Sequence, residues 1–484
     1  MKRLIQTIFF AFLFLPIYAF SQTTTPYTGM VLPLHGTPNW DVQVNNNFTI
    51  LDNVIGGVNA ALATKQPSLG IVPAYCTNGP GDGAIIQAAV NTGKPVNIIG
   101  PCVLDAPITV HTPGQEIFGD GQRTTMLTQS SVLSGGSFIC ATAEPGPQFH
   151  DFGIIFTQPD TTVRANLTAY NPAFSCRATP RARFQRLYMQ AAMVALDIQG
   201  NSGGDYIIDN EVSAFNASVL IDGSVDTVRV ERNHFWPFGL TANQTQIYLQ
   251  TGTPSSSGGI GCAAFPGTVG ICTGRMDDLK LSSNLFIMGG PQLYGFTGSG
   301  GPGGSSWSPG TTIGTGSNNS FDSNSGILWD QAGSLSLSAS YFTEAGNNYA
   351  IFATSGSINV TGSYFLAGAP TTSFPVYASG GNINITGSTV LVSSASTPFA
   401  IAQLGGALVI SDNQFSFVGG TAFSGASIIA GLTGDPFLTV TNNQMLTPVT
   451  SGTFLSVGAG VISSLRGNIA ASGWTSVYTG PGGP

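Results

Sequence analysis

Charged side chains are scarce in this chain: Asp, Glu, Lys and Arg together make up only 8% of its 484 residues. Helical surfaces are normally rich in Lys and Glu, so this scarcity argues against a mainly helical protein. The net charge is −8 and no run of Lys or Arg occurs, so nucleic acid is not an expected partner. Hydrophobic residues, at 42%, are numerous enough to fill a large core.

Metal-binding motifs are missing as well. The chain has no Cys-x-x-Cys and no His and Cys cluster at zinc spacing, so a structural zinc is not predicted. His35, His111 and His150 stand alone, and we interpret them as capping or surface residues.

Six cysteines occur, namely Cys76, Cys102, Cys140, Cys176, Cys262 and Cys272. The sequence cannot choose among their pairings. A Cys262–Cys272 disulfide is favoured because it would close a long loop.

A long apolar run is found at the N-terminus alone. In MKRLIQTIFFAFLFLPIYAFSQ, Lys2 and Arg3 precede the apolar run, and Ala19 and Ser21 follow at signal-peptidase spacing. Residues 4–15 are too few for a membrane span. We therefore interpret residues 1–21 as a cleaved Sec-type signal and expect an exported chain, extracellular or periplasmic, with no membrane span after cleavage.

Nine-residue segments recur along the chain: SINVTGSYF begins at Ser357 and NINITGSTV at Asn382. Apolar and polar residues alternate in them, as in β-strands. The last apolar residue of each unit recurs mostly every 21 to 25 residues, giving Met189, Val212, Phe235, Phe286, Phe321, Phe342, Phe365, Val390, Phe415, Met445 and Ile469. A unit of roughly 23 residues is one coil of a parallel β-helix, so we predict an all-β solenoid.

An asparagine or a serine stands two residues before most of these apolar positions. The asparagines are Asn210, Asn233, Asn284, Asn319, Asn413 and Asn443, and the serines are Ser340, Ser363 and Ser388. Asn tolerates the left-handed backbone that a tight bend requires, and its amide can bond to the same amide one coil away. We therefore predict a hydrogen-bonded ladder at one corner of the coils.

A heptad seam precedes the repeats, formed by Val44, Phe48, Leu51, Ile55, Val58 and Leu62. Two interpretations remain open: an amphipathic helix packed on its own domain, or a short coiled coil that joins three chains.

Two stretches resemble known families. Residues 36–67, GTPNWDVQVNNNFTILDNVIGGVNAALATKQP, are similar to the neck segments of phage tail fibres and tailspikes. Residues 81–110, GDGAIIQAAVNTGKPVNIIGPCVLDAPITV, followed by IFGDGQRTTML, resemble the start of pectate-lyase-like β-helix proteins, including tailspike depolymerases. The resemblance implies a right-handed parallel β-helix with a capping helix at residues 84–91, Asp82 as its N-cap, and a Gly-x-Gly turn at residues 119–121.

These features divide the chain into three parts: a signal at residues 1–21, a helical neck or linker at 22–70, and the β-helix at 71–484. Within the last part we expect the cap at residues 76–92, coils at about 95–470 and a C-terminal tail at 471–484.

Coil stacking predicts three outward columns of charged and aromatic side chains. They are Arg183, Tyr206, Arg229 and Lys280; Arg186, Asp209 and Arg232; and Tyr188, Glu211 and His234. Beyond Glu344 only Asp412, Asp435 and Arg466 are charged. Loops near residues 251–274 and 289–316 emerge beside the charged coils, and Trp236, Tyr248, Tyr294 and Trp307 lie in or near them. Such an arrangement would make a groove for an acidic polysaccharide, whose carboxylates pair with Arg and Lys and whose rings stack on aromatics.

A simpler interpretation is that the columns are salt-bridge ladders along a sheet. It applies best to Arg186, Asp209 and Arg232, where the sign alternates and the charges neutralise one another. Arg229 and Lys280 would repel each other unless an anion lay between them.

If the protein is an enzyme, two mechanisms compete. In β-elimination, Arg229 would neutralise a uronate and His234 or Lys280 would remove its proton. In hydrolysis, the acid pair would come from Asp209, Glu211 and Glu231.

No complete polygalacturonase or lyase motif occurs, so catalysis is left open. Asp277 and Asp278 could hold Ca²⁺ or act as a carboxylate pair, but neighbouring strand residues point to opposite faces. We therefore expect an exported β-helix that binds, and in one interpretation cleaves, an acidic polysaccharide. The predicted substrate-binding residues are Arg183, Tyr206, Tyr188, Arg186 and Arg232. Two alternatives are a non-catalytic spike or adhesin shaft and a phage-derived trimeric depolymerase.

Overall fold

A computed structural model describes residues 51, 53–54, 70–141, 145–200, 202–250, 267–296, 311–322, 325–344, 349–367, 375–392, 399–418, 427–432 and 437–478. The chain divides into two compact units, Met1–Ile71 and Val72–Pro484. The predicted signal and nearly all of the heptad seam lie outside the described residues, so the export signal and the three-chain neck stay predictions.

The second unit is built from parallel strands in two sheets. The first sheet contains Val72–Tyr75, Val96–Ile99, Glu116–Phe118, Gln148–His150, Arg183–Gln185, Asp205–Ile208, Ser224–Glu231, Met276–Ser282, Thr312–Ser317, Ser334–Ser338, Ser357–Thr361, Asn382–Thr386, Ala407–Ser411, Phe437–Thr441 and Ile462–Arg466.

The second sheet bends around the rest of each coil and holds 26 strands within the described residues. They are Cys102–Val103, Ile108–Val110, Met126–Gln129, Phe138–Cys140, Gly153–Phe156, Phe174–Ser175, Tyr188–Asp197, Glu211–Ile221, His234–Phe235, Val269–Thr273, Leu285–Ile287, Leu293–Phe296, Ser320–Asp322, Ile327–Asp330, Tyr341–Glu344, Ile351–Ala353, Tyr364–Ala367, Val376–Ser379, Thr389–Val392, Ala400–Gln403, Gln414–Phe417, Ile429–Gly431, Gln444–Met445, Gly452–Val457, Ile469–Ala470 and Trp474–Tyr478.

Each strand pairs with the strand one coil away, so a coil runs through the first sheet, turns a corner and continues through two stretches of the second. For example, Ser357–Thr361 pairs in register with Asn382–Thr386, and Tyr364–Ala367 pairs with Thr389–Val392. The predicted right-handed parallel β-helix is confirmed. Of the helices that the structure describes, none combines the length and apolar character needed to cross a bilayer.

Stacked aromatic rings fill the core behind the corner. Successive centroids lie 4.7 to 5.2 Å apart along Phe235, Phe286, Phe321, Phe342 and Phe365. The predicted apolar column is confirmed except at its end. Met445 pairs with Ala470 and Gln444 with Ile469, so Ile469 points outward and is 65% exposed. The reason is that Asn468 is the ladder residue of that coil, so Ala470 and not Ile469 is in register with Met445.

Buried asparagines form the predicted corner ladder. Asn233 donates from Nδ2 to Asn284 Oδ1 at 3.0 Å and to the carbonyl of Ile207 at 2.9 Å. Its own Oδ1 accepts from the backbone and side-chain N–H groups of Asn210. The same side-chain contact joins Asn284 to Asn319, Asn413 to Asn443, and Asn443 to Asn468.

The left-handed residue of this corner precedes the asparagine, so the prediction that Asn itself adopts that backbone is wrong. Positive φ values are found at Arg186, Asp209, Arg232, Ser283, Asn318, Ala339, Gly362, Gly387, Asp412, Asn442 and Gly467. The ladder holds each Asn or Ser inward, so the outward residue before it makes the reversal.

A short helix, α1 (Asp82–Val90), closes the N-terminal end and buries Ile86, Ala89 and Val90 in the core. A second helix, α2 (Ala242–Tyr248), follows the Phe235 coil, and a 3₁₀ turn spans Arg164–Asn166.

Asp82 is the first residue of α1 and not its N-cap, which is Gly81. Its buried carboxylate accepts from the backbone N–H groups of Thr77, Gly79 and Val103 at 2.8 to 3.1 Å. Burial opposes ionisation, but these donors outweigh it and hold the pKa of Asp82 below its usual value. The N-terminus of α1 is instead capped by a residue distant in sequence, because the Asp105 carboxylate accepts from the N–H groups of Gly81 and Gly83.

Disulfides tie the first coils together, joining Cys76 to Cys102 and Cys140 to Cys176. Cys272 is also disulfide-bonded. Cys262 lies outside the described residues, so the Cys262–Cys272 pair stays a prediction.

Candidate functional site

The first predicted column lies on the outer face of the first sheet. Arg183 pairs with Tyr206, Tyr206 with Arg229, and Arg229 with Lys280 on successive strands. The predicted alignment is confirmed, including the long step from Arg229 to Lys280. The binding and catalytic roles assigned to these residues stay predictions.

Arg183, Tyr206 and Arg229 form a three-layer stack. The guanidinium carbons of Arg183 and Arg229 lie over the Tyr206 ring, 5.0 and 5.7 Å from its centroid. Both cations are attracted to the π-electrons, which partly offsets their mutual repulsion. Because arginines cover the ring from both neighbouring coils, Tyr206 offers its edge and hydroxyl to a ligand rather than its face.

Neither arginine of this stack, nor the nearby Arg181, has a carboxylate within 4 Å among the residues that the structure describes. Lys280 differs, because its Nζ lies 2.7 Å from Asp278 Oδ1 and bonds to Thr315. Burial alone would raise the pKa of Asp278, but hydrogen bonds from Lys280 and Thr227 lower it below its usual value. Lys280 therefore has a carboxylate in direct contact and the two arginines do not, although the charge of Arg229 also acts on Asp278 from a longer distance.

A surface depression of about 330 Å³ lies beside the stack. Its lining is Gly146, Gln148, Arg181, Arg183, Gly204 and Tyr206. Arg181 was not among the predicted site residues, because it precedes the strand in a left-handed turn, where strand alternation does not predict the direction of a side chain.

The second column, at the corner, is an ion-pair ladder. Arg232 binds Asp209 through two hydrogen bonds of 2.7 and 3.0 Å and approaches Glu231 at 3.7 Å. Arg186 binds Asp151 through two bonds of 2.6 Å. The cations predicted to bind substrate at this corner are thus already neutralised by carboxylates.

The ladder continues through His150, which sequence reasoning left as an isolated residue. Its Nδ1 lies 2.7 Å from Asp151 Oδ2 and its Nε2 lies 2.8 Å from Glu116 Oε1. The ring also stacks on Phe118 at 5.3 Å. The imidazole can donate to both carboxylates only when it is protonated. Hydrogen bonds from Arg186, together with that from His150, hold the pKa of Asp151 below its usual value although burial opposes them.

The third column lies on the second sheet, where Tyr188 pairs with Glu211 and Glu211 with His234. Glu211 accepts from Gln122 and forms an ion pair with Arg123. The Arg123 guanidinium also lies 4.6 Å from the Tyr188 ring centroid. Arg123 was missed because it belongs to an early loop, far from these coils in sequence.

His234 and Arg229 therefore belong to different sheets, separated by the corner at Arg232. Asp209, Glu211 and Glu231 each lie within 4 Å of an arginine.

The aromatic residues predicted to stack on sugars differ in their exposure to solvent. Tyr248 and Tyr294 are buried in the core, so that part of the prediction is wrong, whereas Trp236 is 41% exposed. Trp307, most of the predicted loop near residues 251–274 and half of the loop near 289–316 lie outside the described residues.

Asp277 and Asp278, the predicted calcium ligands, contact different partners. Asp277 lies 3.4 Å from Arg275, while Asp278 bonds to Thr227 and Lys280. Within the described part of the chain, no three His, Cys, Asp or Glu residues are grouped so as to hold a metal ion.

No protein-family model and no curated protein sequence matches the chain. Solved structures do match, among them the N-terminal fragment of bacteriophage phi29 gene product 12, with a TM-score of 0.52 and 12% identity over 83% of this chain and 70% of that one. The likeness is one of fold. The A-module of the mannuronan C-5 epimerase AlgE6 from Azotobacter vinelandii also matches, with a TM-score of 0.41 and 9% identity over 82% of this chain and 95% of that one. An Acinetobacter phage tailspike matches with a TM-score of 0.40 and 11% identity over 86% of this chain and 63% of that one.

Proposed function

We propose that the protein binds an acidic polysaccharide on the outer face of its first sheet, through Arg183, Tyr206 and Arg229. The observation that carries this proposal is the pair of guanidinium groups on either side of one tyrosine, with no carboxylate within 4 Å among the described residues. Nearby arginines at the corner are all matched by acids. An external anion is the missing partner of the stack.

The shape of the face favours a polymer over a small anion. The column continues from Gln148 through the stack to Thr315, Ser336 and Asn359. These side chains donate and accept hydrogen bonds along a straight line of strands, which suits the hydroxyl groups of an extended sugar chain. The depression at Arg183 and Tyr206 would seat one of its sugars.

Cleavage is not part of this proposal. The predicted acids form ion pairs with arginines. Of the two predicted bases, His234 lies on the second sheet while Arg229 lies on the first, and Lys280 is paired with Asp278. Binding without cleavage is compatible with both a depolymerase-derived rod and an adhesin.

Replacing Arg183 and Arg229 together with glutamine is expected to weaken binding to hyaluronan or polygalacturonate by roughly tenfold to a hundredfold, because each loses a charge-assisted hydrogen bond. Binding should be measured by titration calorimetry at two salt concentrations, and the variant should also show a weaker salt dependence.

Arg466→Gln is the matched control, since Arg466 is exposed on the same sheet at its far end. Equal affinities for the double variant and the unmodified chain would overturn the proposal. So would an absence of binding to acidic polysaccharides by the unmodified chain, which would favour a shaft role.

We also propose that the heptad seam joins three chains, as in the neck segments that it resembles. Sedimentation equilibrium of the mature protein should then give three times the chain mass, and Leu51→Asp with Ile55→Asp should give monomers because charges at seam positions break the core. A monomeric unmodified protein at micromolar concentration would contradict this.

A further inference from the structure

Building on the proposed function, we infer that the site binds two anionic groups of one sugar chain at once. The two sugars that carry them are separated by one intervening sugar. The ligand lies along the helix axis, with one acid at Arg183, the next at Arg229, and the intervening sugar over Tyr206.

The spacing of the unpaired cations supports this. Arg183 and Arg229 occupy the same column on strands that are two apart, with Tyr206 on the strand between. Neighbouring strands lie about 4.8 Å apart, so the two guanidinium groups are about 10 Å from each other. A carboxylate within hydrogen-bonding distance of one of them cannot reach the other. Filling both positions therefore takes two anionic groups.

The side chains on either side of the stack limit the number of anion-binding positions in the column to two. Gln148, on the preceding strand, is neutral, and Lys280, on the following strand, is paired with Asp278. Arg181 lines the same depression as Arg183, so it adds charge at the first position and does not create a third.

Tyr206 keeps the two positions apart. Its ring lies between the two guanidinium groups, and the attraction of each cation to the ring holds the arginines on opposite sides of it. The tyrosine hydroxyl makes no hydrogen bond to another described residue, so it is available to a hydroxyl or amide of the intervening sugar. An extended sugar chain advances by about one strand spacing per ring, which puts every second ring opposite an arginine.

Two probes of equal charge test this spacing. One is the hyaluronan trisaccharide that carries glucuronate at both ends and N-acetylglucosamine between them, and the other is digalacturonate, whose acids are on adjacent sugars. The trisaccharide is expected to bind many-fold more tightly, because both of its acids are bound at once. Arg183→Gln and Arg229→Gln should each reduce it to the affinity of digalacturonate, whereas Arg466→Gln should not.

A spacing variant gives an independent readout. Tyr206→Lys combined with Arg229→Gln keeps the number of cations but places them on adjacent strands, and it is expected to shift the preference toward digalacturonate. Circular dichroism should be used to check that the variant is folded. If it is not, the single Arg229→Gln substitution provides the test.

The outcomes separate the two proposals. Equal affinity for the two probes, or an unchanged preference in the spacing variant, would overturn the inference while leaving acidic polysaccharide binding intact. If neither these probes nor long hyaluronan or polygalacturonate binds, the proposed function itself is wrong.

Discussion

Replacing Asn233 with alanine is expected to lower the free energy of unfolding by roughly 4 kcal/mol, because several buried polar groups lose their partners at once. The side chain of Asn233 satisfies the backbone N–H and side-chain amide of Asn210, the carbonyl of Ile207 and the Oδ1 of Asn284. These hydrogen bonds lie in a buried corner of the coil. The polar groups that lose Asn233 as a partner therefore cannot bind water unless the coil opens.

Asn233→Ser should cost less than Asn233→Ala. Serine occupies the ladder at Ser340 and Ser363, where the Ser363 hydroxyl accepts from the Ser340 backbone N–H at 3.0 Å. A serine at 233 can therefore still accept from Asn210, but its short side chain cannot replace both amide donations.

The measurement is urea unfolding combined with amide hydrogen exchange in the neighbouring coils, since coils of a solenoid contact chiefly their neighbours. Asn359→Ala is the control, because Asn359 lies on the outer face of the first sheet and should change stability by less than about 0.5 kcal/mol. Equal losses for Asn233→Ala and Asn359→Ala would show that the ladder does not stabilise the corner.

The sequence predicts the register of the coils wherever strand alternation survives an insertion. The step from Arg229 to Lys280 contains more residues than the regular period of 21 to 25, yet both residues lie between two buried apolar residues, so they are recognised as the same position. The ladder is predictable for a similar reason, because Asn or Ser recurs at a fixed distance before an apolar residue.

His150 and Arg123 show where sequence reasoning fails. His150 lies in a coil whose neighbours are separated from it by more residues than the regular period. Its pairing with Gln185 on one side and Phe118 on the other therefore cannot be predicted by counting residues. Arg123 reaches Glu211 from a loop that has no periodic position. Ion pairing also depends on side-chain direction, which is why a column of alternating charge allowed both a binding site and a closed ladder.

Asp205→Asn is expected to remove a loss of stability that the unmodified chain shows as the pH rises from about 4 to about 7. Asp205 is fully buried, its Oδ1 accepts from the Ala182 backbone N–H at 2.8 Å, and its Oδ2 has no hydrogen-bond partner. Burial raises the pKa of this carboxyl to about 7, although the Ala182 N–H opposes the shift.

The sign follows from where the proton is bound. In the unfolded chain an aspartate loses its proton near pH 4, whereas folded Asp205 keeps it up to about pH 7. Over that interval the folded state binds more protons, so stability falls as the pH rises and is constant with respect to this group above it. Asparagine is neutral throughout and should not show the decline.

Unfolding should be measured near pH 4.5 and pH 8, where the two proteins are expected to differ in their stability change by on the order of 3 kcal/mol. Asp120→Asn, at an exposed aspartate, is the control and should run parallel to the unmodified chain. Parallel profiles for Asp205→Asn and the unmodified chain would show that Asp205 is ionised in the folded protein at neutral pH.

Asp205 also bears on the candidate site, because of the residues that flank its hydrogen bond. Ala182 directly precedes Arg183 and Asp205 directly precedes Tyr206, so the bond joins the two strands that carry the first two members of the stack. Asparagine keeps the oxygen that accepts from Ala182. Asp205→Asn should therefore change the pH dependence of stability and leave the affinity for an acidic polysaccharide unchanged near pH 5, where Asp205 is still protonated and the arginines are fully charged.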